Sequence, residues 1–349
     1  MKLYDFFTQI ENHKEYASRN LILNAKPIIE NIELISECNL NCRMCIPRPK
    51  RKQKMMSVNQ LKSIVDRNLS ILKGEYVWLH HFGEPLLHPD LSEIISYLSS
   101  NGINSRLSTN CMLLNPEISE NLIKTGLKEI VFSVDGMDEN KFNYLRRRAD
   151  YNLVASNVMN FLKLKQKMNS KIPVTQVQYV NIDGSKLDVE RYINFWSKTS
   201  VNWINIKKPS TRANCVQDKR IMEKIYKQLK LKEGYKRRFP CYWLWSSLIV
   251  LSDGDVVPCC TDLAGKNIVG NALQQDLRAI WNSEKMQQFR RDQVDGRFEL
   301  TALCKDCPEI RYYNCSFEEK LNEEKMKKKK FKEGLRFNHH LFIKNCDEN

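Results

Sequence analysis

Short apolar runs alternate with longer amphipathic segments along the first 208 residues of the chain. The apolar runs predict β-strands near residues 31–36, 75–80, 104–108, 129–134, 174–180 and 202–207. Between them, apolar periodicity predicts helices near residues 57–72, 90–100, 115–125, 152–168 and 186–198, the first with Ser57 as its N-cap. Strands that alternate with helices in this way indicate an α/β domain with a parallel sheet and right-handed crossovers.

The pattern changes after residue 208. The segment SLIVLSDGDVVPCC predicts two short strands joined by a tight turn at residues 252–255. We therefore divide the chain into an N-terminal extension (1–29), a core (30–208), a basic, helix-prone linker (209–240), a smaller second domain (241–315) and a basic charged tail (316–349).

Composition narrows the class of protein. The chain has 349 residues, a formal net charge of +15 and 12 cysteines. Its sequence contains no apolar run of the roughly 18–20 residues that a membrane span needs, and residues 1–16 lack the apolar core of a signal peptide, so we expect a soluble cytoplasmic protein. Cysteines stay reduced in the cytoplasm, which favours metal sites over disulfides. Positive charge is concentrated at residues 48–54 and 325–330, where a solvated surface is the simplest interpretation. For residues 48–54, a dock for an acidic electron donor or a phosphorylated substrate is the alternative.

Three closely spaced cysteines follow the first apolar run. Cys38, Cys42 and Cys45, here called the cysteine trio, have the spacing C-x3-C-x2-C. Three thiolates can hold a [4Fe–4S] cluster and leave one iron open to a small molecule. The alternative is a structural zinc site, which requires four nitrogen or sulfur ligands, and the nearest histidines downstream, His80 and His81, are too remote in sequence to decide the question.

A second motif follows the apolar stretch at residues 76–79. Gly83, Glu84 and Pro85, here called the GEP element, combine a glycine that permits close backbone approach with a proline that favours a turn. With the cysteine trio, this element resembles the radical S-adenosylmethionine (SAM) family. The resemblance implies a partial (β/α)6 TIM-like barrel, with the cluster and SAM at the carboxyl ends of its strands, where the GEP element binds the amino group of SAM.

This chain departs from the family pattern at two positions. Phe82 stands where the family usually has a further glycine, and Met44 stands at a position before the third cysteine that is often aromatic. Either residue could alter how the adenine of SAM binds without removing the cluster. We count Met44 among the candidate cofactor contacts.

Two later segments, LSTNCMLLN and VFSVDG, resemble the next two strand ends of the family. The resemblance implies that polar residues at these strand ends reach the ribose and carboxylate of SAM. The candidates are Ser133, Thr109, Asn110 and Asp135. The alternative for each of them is ordinary polar capping of a strand end.

The second domain carries its own cysteine pattern. Its elements are Cys241, Gly254 and Cys259, followed by the C-x2-C pair Cys304 and Cys307. This pattern, with the helix-like segment GNALQQDLRAIWNSEKMQQFRR, resembles the SPASM or twitch domain, a small α+β unit that binds auxiliary iron–sulfur clusters. The resemblance implies one auxiliary [4Fe–4S] cluster held by Cys241, Cys259, Cys304 and Cys307, here called the auxiliary cysteines.

The remaining cysteines have weaker assignments. Taken alone, the auxiliary cysteines would also fit a structural zinc site, and their company with the cysteine trio favours iron–sulfur. Cys315 and Cys346 are alternative metal ligands. We interpret Cys260, Cys111 and Cys215 as small buried side chains.

The family resemblance also implies the chemistry. The reduced cluster donates an electron to SAM, a 5′-deoxyadenosyl radical forms, and the radical removes a hydrogen atom from the substrate. A second cluster favours net oxidation, so we predict an oxidoreductase supplied by a flavodoxin- or ferredoxin-like donor. We favour a small sugar- or cyclitol-like substrate, because residues 1–29 are too short for the peptide-binding domain that peptide-modifying members often carry.

Two other functions remain open at this stage. One is maturation of a ribosomally made peptide or protein, and the other, from a different class, is a non-catalytic zinc- or nucleic-acid-binding module, although we do not expect nucleic acid as a partner. For an alcohol oxidation, the candidate bases are His80, His81, Tyr179 and Asp262. Trp243 and Trp245 are candidates for either the substrate pocket or the core.

Overall fold

The computed structural model describes residues 3–47, 54–229, 240–262, 264–305, 307, 335–337 and 340–344. Its helices are α1 (Leu3–Ala17), α2 (Val58–Arg67), α3 (Leu69–Leu72), α4 (Leu91–Ser100), α5 (Pro116–Lys124), α6 (Glu139–Leu145), α7 (Tyr151–Lys167), α8 (Lys186–Trp196), α9 (Lys219–Leu229), α10 (Leu277–Trp281), α11 (Glu284–Val294) and α12 (Ala302–Lys305). Its strands are β1 (Ile28–Ile32), β2 (Tyr76–Trp78), β3 (Asn104–Thr109), β4 (Glu129–Ser133), β5 (Val174–Val180), β6 (Trp203–Lys207), β7 (Ser247–Val250), β8 (Asp255–Val257), β9 (Gly270–Asn271), β10 (Leu335–Phe337) and β11 (His340–Lys344).

The first six strands form the parallel sheet that the sequence predicts. They lie side by side in chain order, β1 to β6, and each pairs with the next in parallel. Helices α2 to α8 lie between them along the chain, as expected of successive β/α units. The α/β barrel class is therefore confirmed, and the carboxyl ends of all six strands meet at one end of the sheet.

The predicted first helix shows how closely local signals determine the element. Ser57 caps α2 by accepting a hydrogen bond from the Gln60 amide, and the Gln60 side chain accepts one from the Ser57 amide in return. Such a capping box satisfies amides that have no partner within the helix. The predicted helix over 57–72 divides into α2 and α3 at Asn68, whose side chain instead bonds to the Ile64 carbonyl and the Leu277 amide.

The first strand lies earlier in the chain than predicted. We expected residues 31–36, whereas β1 covers Ile28–Ile32. After β1 the chain leaves the sheet, and Ile35 instead forms an isolated antiparallel bridge with Met55. The apolar run continues past the strand because Leu34 and Ile35 are buried as well. The buried segment is therefore longer than the paired strand. Apolar periodicity indicates which residues are buried, and it does not indicate which of them pair in the sheet.

The second region continues the sheet of the first. Strands β7 and β8 form the predicted hairpin, in which Gly254 takes a φ of +83°, the left-handed conformation that favours glycine. Strand β7 also pairs with β1 in parallel, and β9 pairs with β8. At the opposite edge, β11 pairs with β6, so strands within the predicted charged tail also extend the sheet.

The two faces of the sheet differ in character. The face under the helices is apolar, and its buried residues include Leu107, Phe132, Val177 and Ile204, together with Phe161 of α7 and Trp196 of α8. The other face is polar near the carboxyl ends of the strands. There Ser133, Gln178 and Asn205 are aligned in register on β4, β5 and β6. The polar face at this end of the sheet is the natural place for a site.

Candidate functional site

The loop that carries the cysteine trio is tied to the far side of the barrel end. The Arg43 amide donates a hydrogen bond to the Leu145 carbonyl at 2.8 Å, and the Asn41 amide donates one to the Arg147 carbonyl at 3.2 Å. Within the loop, the Cys45 amide bonds to the Cys42 carbonyl at 3.1 Å. These backbone bonds bring the trio from the end of β1 to the segment that follows α6.

The GEP element is pressed directly against this loop. A Cβ atom on Gly83 would lie 1.8 Å from the Ile35 carbonyl oxygen, a distance that no pair of non-bonded atoms tolerates, so only glycine fits. The next amide, of Glu84, donates a hydrogen bond to the Glu37 carbonyl at 2.8 Å. Pro85 begins a short 3-10 turn, Pro85–Leu87, and is buried. The two sequence motifs are thus parts of one backbone unit.

The Glu84 carboxylate is held by the next strand end. It accepts hydrogen bonds from the Thr109 hydroxyl at 2.7 Å and from the Asn110 and Leu86 amides at 2.8 and 3.1 Å. Burial raises the pKa of Glu84, and these hydrogen bonds partly offset the rise. In this structure Thr109 therefore serves to hold Glu84, and its predicted contact with SAM stays a prediction.

Asn110 links the same strand end to the first cysteine. Its side-chain amide donates to the Asn39 side-chain oxygen at 2.7 Å and lies 3.8 Å from the Cys38 sulfur. Its own oxygen accepts from the Met112 amide at 3.0 Å. A residue predicted to contact SAM thus lies beside a predicted cluster ligand.

Ser133 lies on the polar face, at the end of β4. Its hydroxyl is 3.0 Å from the Ser108 hydroxyl, and the Ser108 amide donates to Nδ1 of His80 at 3.2 Å. Because Nδ1 accepts this bond, the proton of the neutral imidazole is on Nε2. Burial, followed by the charges of Lys207 and Arg212, lowers the pKa of His80 to about 3. His80 is therefore neutral near pH 7 and a weak base.

Asp135 forms a buried ion pair with Arg146, a residue that the sequence analysis missed. The Arg146 guanidinium contacts one Asp135 oxygen at 2.6 and 2.7 Å, and the other oxygen accepts from the Val180 amide at 2.8 Å. Burial alone would lower the pKa of Arg146, but Asp135 and the Cys42 thiol raise it on balance. The only sequence signal was a run of three arginines after α6, which does not say which of them is buried.

The same guanidinium acts on the cysteine trio. Burial raises the pKa of Cys42 to about 11, the Arg146 charge opposes that rise, and Cys45 and Cys38 add to it. Arg146 is thus a fixed positive charge beside thiols that must become thiolates to bind iron.

Both departures from the family pattern belong to one apolar cluster. Met44 and Phe82 pack against a group of buried residues from the cysteine loop, the α6 end and α9. Its buried members are Ile46, Leu145, Ile182, Val216, Ile221 and Ile225. Phe82 therefore fills space between the GEP element and α9.

The second cysteine region is assembled from separate segments. The Cys241 amide bonds to the Gln293 side chain at 3.1 Å, and the Cys304 amide bonds to the Thr301 carbonyl at 2.8 Å. The Cys307 amide bonds to the Cys304 carbonyl at 3.3 Å, which closes the C-x2-C turn. The amides of Cys304 and Cys307 thus bond within their own segment, whereas the Cys241 amide bonds to a side chain of α11.

Cys259 and Cys260 are adjacent in the chain, just after the β7–β8 hairpin. A hydrogen bond from Cys260, together with those from Thr261, lowers the pKa of Cys259 below its ordinary value. Cys241 and Arg212 both act electrostatically on Cys260, and Cys259 acts on Cys215. Cys260 and Cys215, which we predicted to be buried side chains, are half-buried neighbours of the auxiliary cysteines, whereas Cys111 is fully buried.

Two protein families match the chain in the same two regions. Residues 32–195 match the family described as the radical SAM superfamily, and residues 241–308 match SPASM, described as an iron–sulfur cluster-binding domain. The chain belongs to the radical SAM superfamily. Its second region is a SPASM domain.

Solved structures with this radical SAM fold extend the comparison. BtrN in complex with AdoMet and 2-DOIA matches with a TM-score of 0.52 and 17% identity, over 81% of this chain and 93% of that chain. Streptococcus suis SuiB bound to the precursor peptide SuiA matches with a TM-score of 0.59 and 16% identity, over 82% of this chain and 72% of that chain. At such identities the likeness concerns the fold.

Curated relatives match over shorter segments. GTP 3′,8-cyclase 1 of Mycobacterium tuberculosis is 32% identical over 137 residues, which cover 36% of this chain and 37% of that protein. Mycofactocin maturase MftC of Mycobacterium tuberculosis is 28% identical over 135 residues, or 38% of this chain and 34% of that protein. The matched segments thus span little more than a third of these relatives.

The donor sets fit the cofactors of the radical SAM and SPASM families, a [4Fe–4S] cluster, SAM and auxiliary iron–sulfur. Within the described residues, no three His, Cys, Asp or Glu side chains converge on a point that a single metal ion could occupy. A four-iron cube binds each cysteine through a different iron atom, so its ligands need not converge in this way. The cysteine trio and the auxiliary cysteines provide only thiols, and these thiols are partly exposed, so both sets suit such a cube.

Of the four predicted bases, only His80 lies at the polar strand ends with a clear orientation. Tyr179 packs on the helical side against Tyr192, with ring centroids 5.3 Å apart. Asp262 accepts hydrogen bonds from the Lys266 and Asn267 amides at 2.9 and 2.7 Å and so holds its own loop. His81 packs edge-on against Phe82, at 4.7 Å between ring centroids.

The predicted pocket tryptophans differ in burial. Trp245 is fully buried and donates to the Asn20 carbonyl at 2.8 Å, which supports the core interpretation, whereas Trp243 is half-buried. Cys315, Cys346 and most of the two basic segments lie outside the described residues. None of the described helices is both long and apolar enough to cross a bilayer.

Proposed function

We propose that this radical SAM protein cleaves SAM reductively and uses the resulting radical to oxidise a small sugar- or cyclitol-like molecule. The observation that carries the proposal is the union of the cysteine loop and the GEP element, in which Gly83 lies against Ile35 and the Glu84 amide bonds to Glu37. Because the predicted binding sites for the cluster and for SAM share one backbone unit, the two cofactors would keep a constant relative position.

The chain's own residues would do four things. The cysteine trio would hold the cluster, and the GEP element with Asn110 would hold SAM. When bound and reduced, the cluster supplies the electron that cleaves SAM into methionine and a hydrogen-abstracting radical. Arg146 would offset the negative charge of the thiolates, since it already acts on Cys42. The apolar cluster around Phe82 would exclude water from one side of the site.

The auxiliary cysteines support a net oxidation. A hydroxyl-bearing substrate that has lost a hydrogen atom from carbon must lose one more electron, with release of the hydroxyl proton to solvent, to become a ketone, and a second cluster would accept that electron. The fold likeness to BtrN, whose structure contains 2-DOIA, supports a small-molecule substrate.

Peptide maturation is the second candidate. It is favoured by the matched segment of mycofactocin maturase MftC and by the fold likeness to SuiB with its precursor peptide. Mass spectrometry of reactions with sugars or cyclitols and with precursor peptides would separate the two candidates.

Anaerobic purification and assay test the proposal. We expect about eight iron atoms per chain from two four-iron cubes, with sulfide, and release of 5′-deoxyadenosine on addition of reductant and SAM. Cys42→Ala should abolish that release. Cys215→Ala serves as the matched cysteine control and should leave it unchanged. Stoichiometric zinc without sulfide, or normal release by Cys42→Ala, would contradict the proposal.

The net oxidation has a separate test. Cys259→Ala should lose about four iron atoms and still release 5′-deoxyadenosine, but form no oxidised product. Formation of the oxidised product by Cys259→Ala at the wild-type rate would exclude the auxiliary cluster as electron acceptor.

A further inference from the structure

Two positive side chains meet at the end of the last core strand. Lys207 is the final residue of β6, and Arg212 follows five residues later. Lys207 lies two residues after Asn205, so both project to the same face of the strand. Asn205 there approaches Gln178 of β5, with 3.5 Å between their side-chain amides. Lys207 therefore belongs to the polar face, at the end where the predicted cofactor seats lie.

The segment that carries Arg212 has an unusual backbone. Arg212, Ala213 and Asn214 have φ values of +52°, +52° and +62°, a left-handed run without glycine. Residues with a Cβ atom rarely adopt this conformation, and strain of this kind is concentrated at functional sites.

The surrounding contacts hold the strained turn in place. The Ser210 hydroxyl accepts from the Arg212 amide at 3.1 Å, the Cys215 amide bonds back to the Arg212 carbonyl at 3.0 Å, and the Tyr226 hydroxyl donates to the Asn214 side chain at 2.9 Å. The direction of the Arg212 side chain is thus determined by a braced turn.

That direction is toward the GEP element. The Arg212 guanidinium carbon lies 5.4 Å from the centre of the Phe82 ring, in cation–π range. Arg212 also acts electrostatically on Cys260, the neighbour of the auxiliary Cys259, as Cys260 does on Lys207. The two cations therefore lie between the predicted SAM-binding site and the auxiliary cysteines.

These cations lack a matching anion in the described part of the chain. No carboxylate there forms an ion pair with Lys207 or Arg212, and Asp135, which acts on Lys207 from further away, is already paired with Arg146. Burial and then the Arg212 charge lower the pKa of Lys207 to about 8. The neutral His80 beside them carries its proton on Nε2, where it can donate a hydrogen bond.

We propose that Lys207, Arg212 and His80 bind an anionic group of the substrate, a carboxylate or a phosphate. The inference rests on the proposed function, because it names the substrate class of the same site. An anion placed here would pair with two cations that have no ion-pair partner within the described residues, and charge-assisted hydrogen bonds are the stronger kind. It would also anchor a molecule between the radical source and the auxiliary cluster.

Calorimetric titration of the cluster-loaded protein, in anaerobic chloride buffer, tests the proposal. The probes are pyrophosphate and inorganic phosphate in one arm, and succinate and tricarballylate in the other. We expect saturable binding in one arm, which identifies the anion. Absence of binding in both arms would overturn the inference.

The variants test whether the named residues form the site. Arg212→Asn removes the charge and retains a residue that tolerates the left-handed conformation, and Lys207→Gln removes the second charge. Each should raise the Kd about tenfold or more, since a hydrogen bond to a charged group is lost. Lys208→Gln changes the exposed neighbouring lysine and should leave the Kd unchanged, and Arg212→Lys should restore most of the affinity. Equal binding by all four variants would contradict the assignment.

Failure of the inference is distinguishable from failure of the proposed function. Wild-type protein that releases 5′-deoxyadenosine but binds neither class of anion would refute the anion site alone. Wild-type protein that binds an anion through Lys207 and Arg212 but cleaves no SAM would refute the proposed function alone.

Discussion

The two cysteine regions of this protein are held by different means. The cysteine trio lies on one loop, which is joined to the GEP element by the contact of Gly83 with Ile35 and by the Glu84–Glu37 hydrogen bond. The auxiliary cysteines come from three separated segments, each held by its own contacts. In the first region the cysteine loop and the GEP element thus meet at one close approach of backbone, whereas the second region takes its supports from several separate segments. Substitutions should therefore affect the two regions separately.

The largest effect is expected at Gly83, where the backbone of the cysteine loop leaves no space for a side chain. Gly83→Ala would place a Cβ atom 1.8 Å from the Ile35 oxygen and push the GEP element away from the cysteine loop. A shift of about 1 Å can lower a rate about 100-fold, so 5′-deoxyadenosine release should fall at least that far. The auxiliary iron, about four atoms per chain, should remain.

Gly74→Ala is the control for this change. Gly74 is restricted by its backbone conformation, with φ of +84°, but a Cβ atom there meets nothing within 4 Å. It should cost about 1 kcal/mol of stability and no activity. Normal activity of Gly83→Ala would break the comparison, because the first region would then not depend on the close approach of Gly83 to Ile35.

The next largest effect concerns the buried ion pair of the first region. Arg146→Met would leave the Asp135 carboxylate buried without its partner, which typically costs about 3–5 kcal/mol of unfolding free energy. Urea titration of the cluster-loaded protein would measure the loss. Lys124→Gln, which breaks an exposed pair with Glu120, should have a much smaller effect, because solvent screens that pair. Addition of Asp135→Asn to Arg146→Met should recover part of the loss, and no recovery would argue against charge as the cause.

A substitution in the second region should separate its cluster from SAM cleavage. Asp262→Ala removes the acceptor for the Lys266 and Asn267 amides in the loop after Cys259, at a cost of about 1–3 kcal/mol. Iron content should drop by about four atoms per chain, while 5′-deoxyadenosine release continues. Asp276→Ala, which removes the N-cap of α10, should cost about 1 kcal/mol without loss of iron. Loss of SAM cleavage in Asp262→Ala would mean that the regions are not independent.

The pH dependence of the unfolding free energy should reflect the titration of His80, which lies at the polar strand ends. The pKa of His80 is about 3 in the folded protein, against an ordinary value of 6.5, so unfolding takes up a proton in acid. This contribution to stability is present above pH 6.5 and is lost as the pH falls toward 3, with a slope of at most about 1.4 kcal/mol per pH unit. Between pH 6.5 and 5 the unfolding free energy should fall by up to about 2 kcal/mol. His80→Asn should flatten this slope, and an unchanged slope would assign the effect to other groups.

The smallest effect compares matched helix caps in the two regions. Ser57→Ala removes the cap of α2, and Ser283→Ala removes the cap of α11. Each should cost about 1 kcal/mol, as loss of an N-cap usually does. Thermal unfolding of both variants would measure the costs. A much larger loss for Ser57→Ala would indicate that α2 supports the cysteine loop as well as itself.

Much of the core was predictable because its signals are local. The strands β2 to β6, the cap at Ser57 and the turn at Gly254 follow from periodicity and from residue types with strong backbone preferences. The cysteine trio was recognisable for the same reason, since its spacing along the chain is its signature.

Other features were missed because their partners are distant in sequence. Arg146 is one of three adjacent arginines, and only the fold decides which one meets Asp135. The direction of the Arg212 side chain depends on a left-handed turn that contains no glycine, so the sequence carries no local signal for it. The hairpin β7–β8 was predicted, but its pairing with β1 was not.

The sequence by itself determined the succession of β/α units, the loop that bears the cysteine trio, and membership of the radical SAM superfamily. The tertiary structure decided that Gly83 must be glycine, that Thr109 holds Glu84, and that two cations share the polar strand ends. The physical reason is that spacing along the chain records which atoms a segment carries. Close approach, burial and unpaired charge depend on which segments the fold brings together.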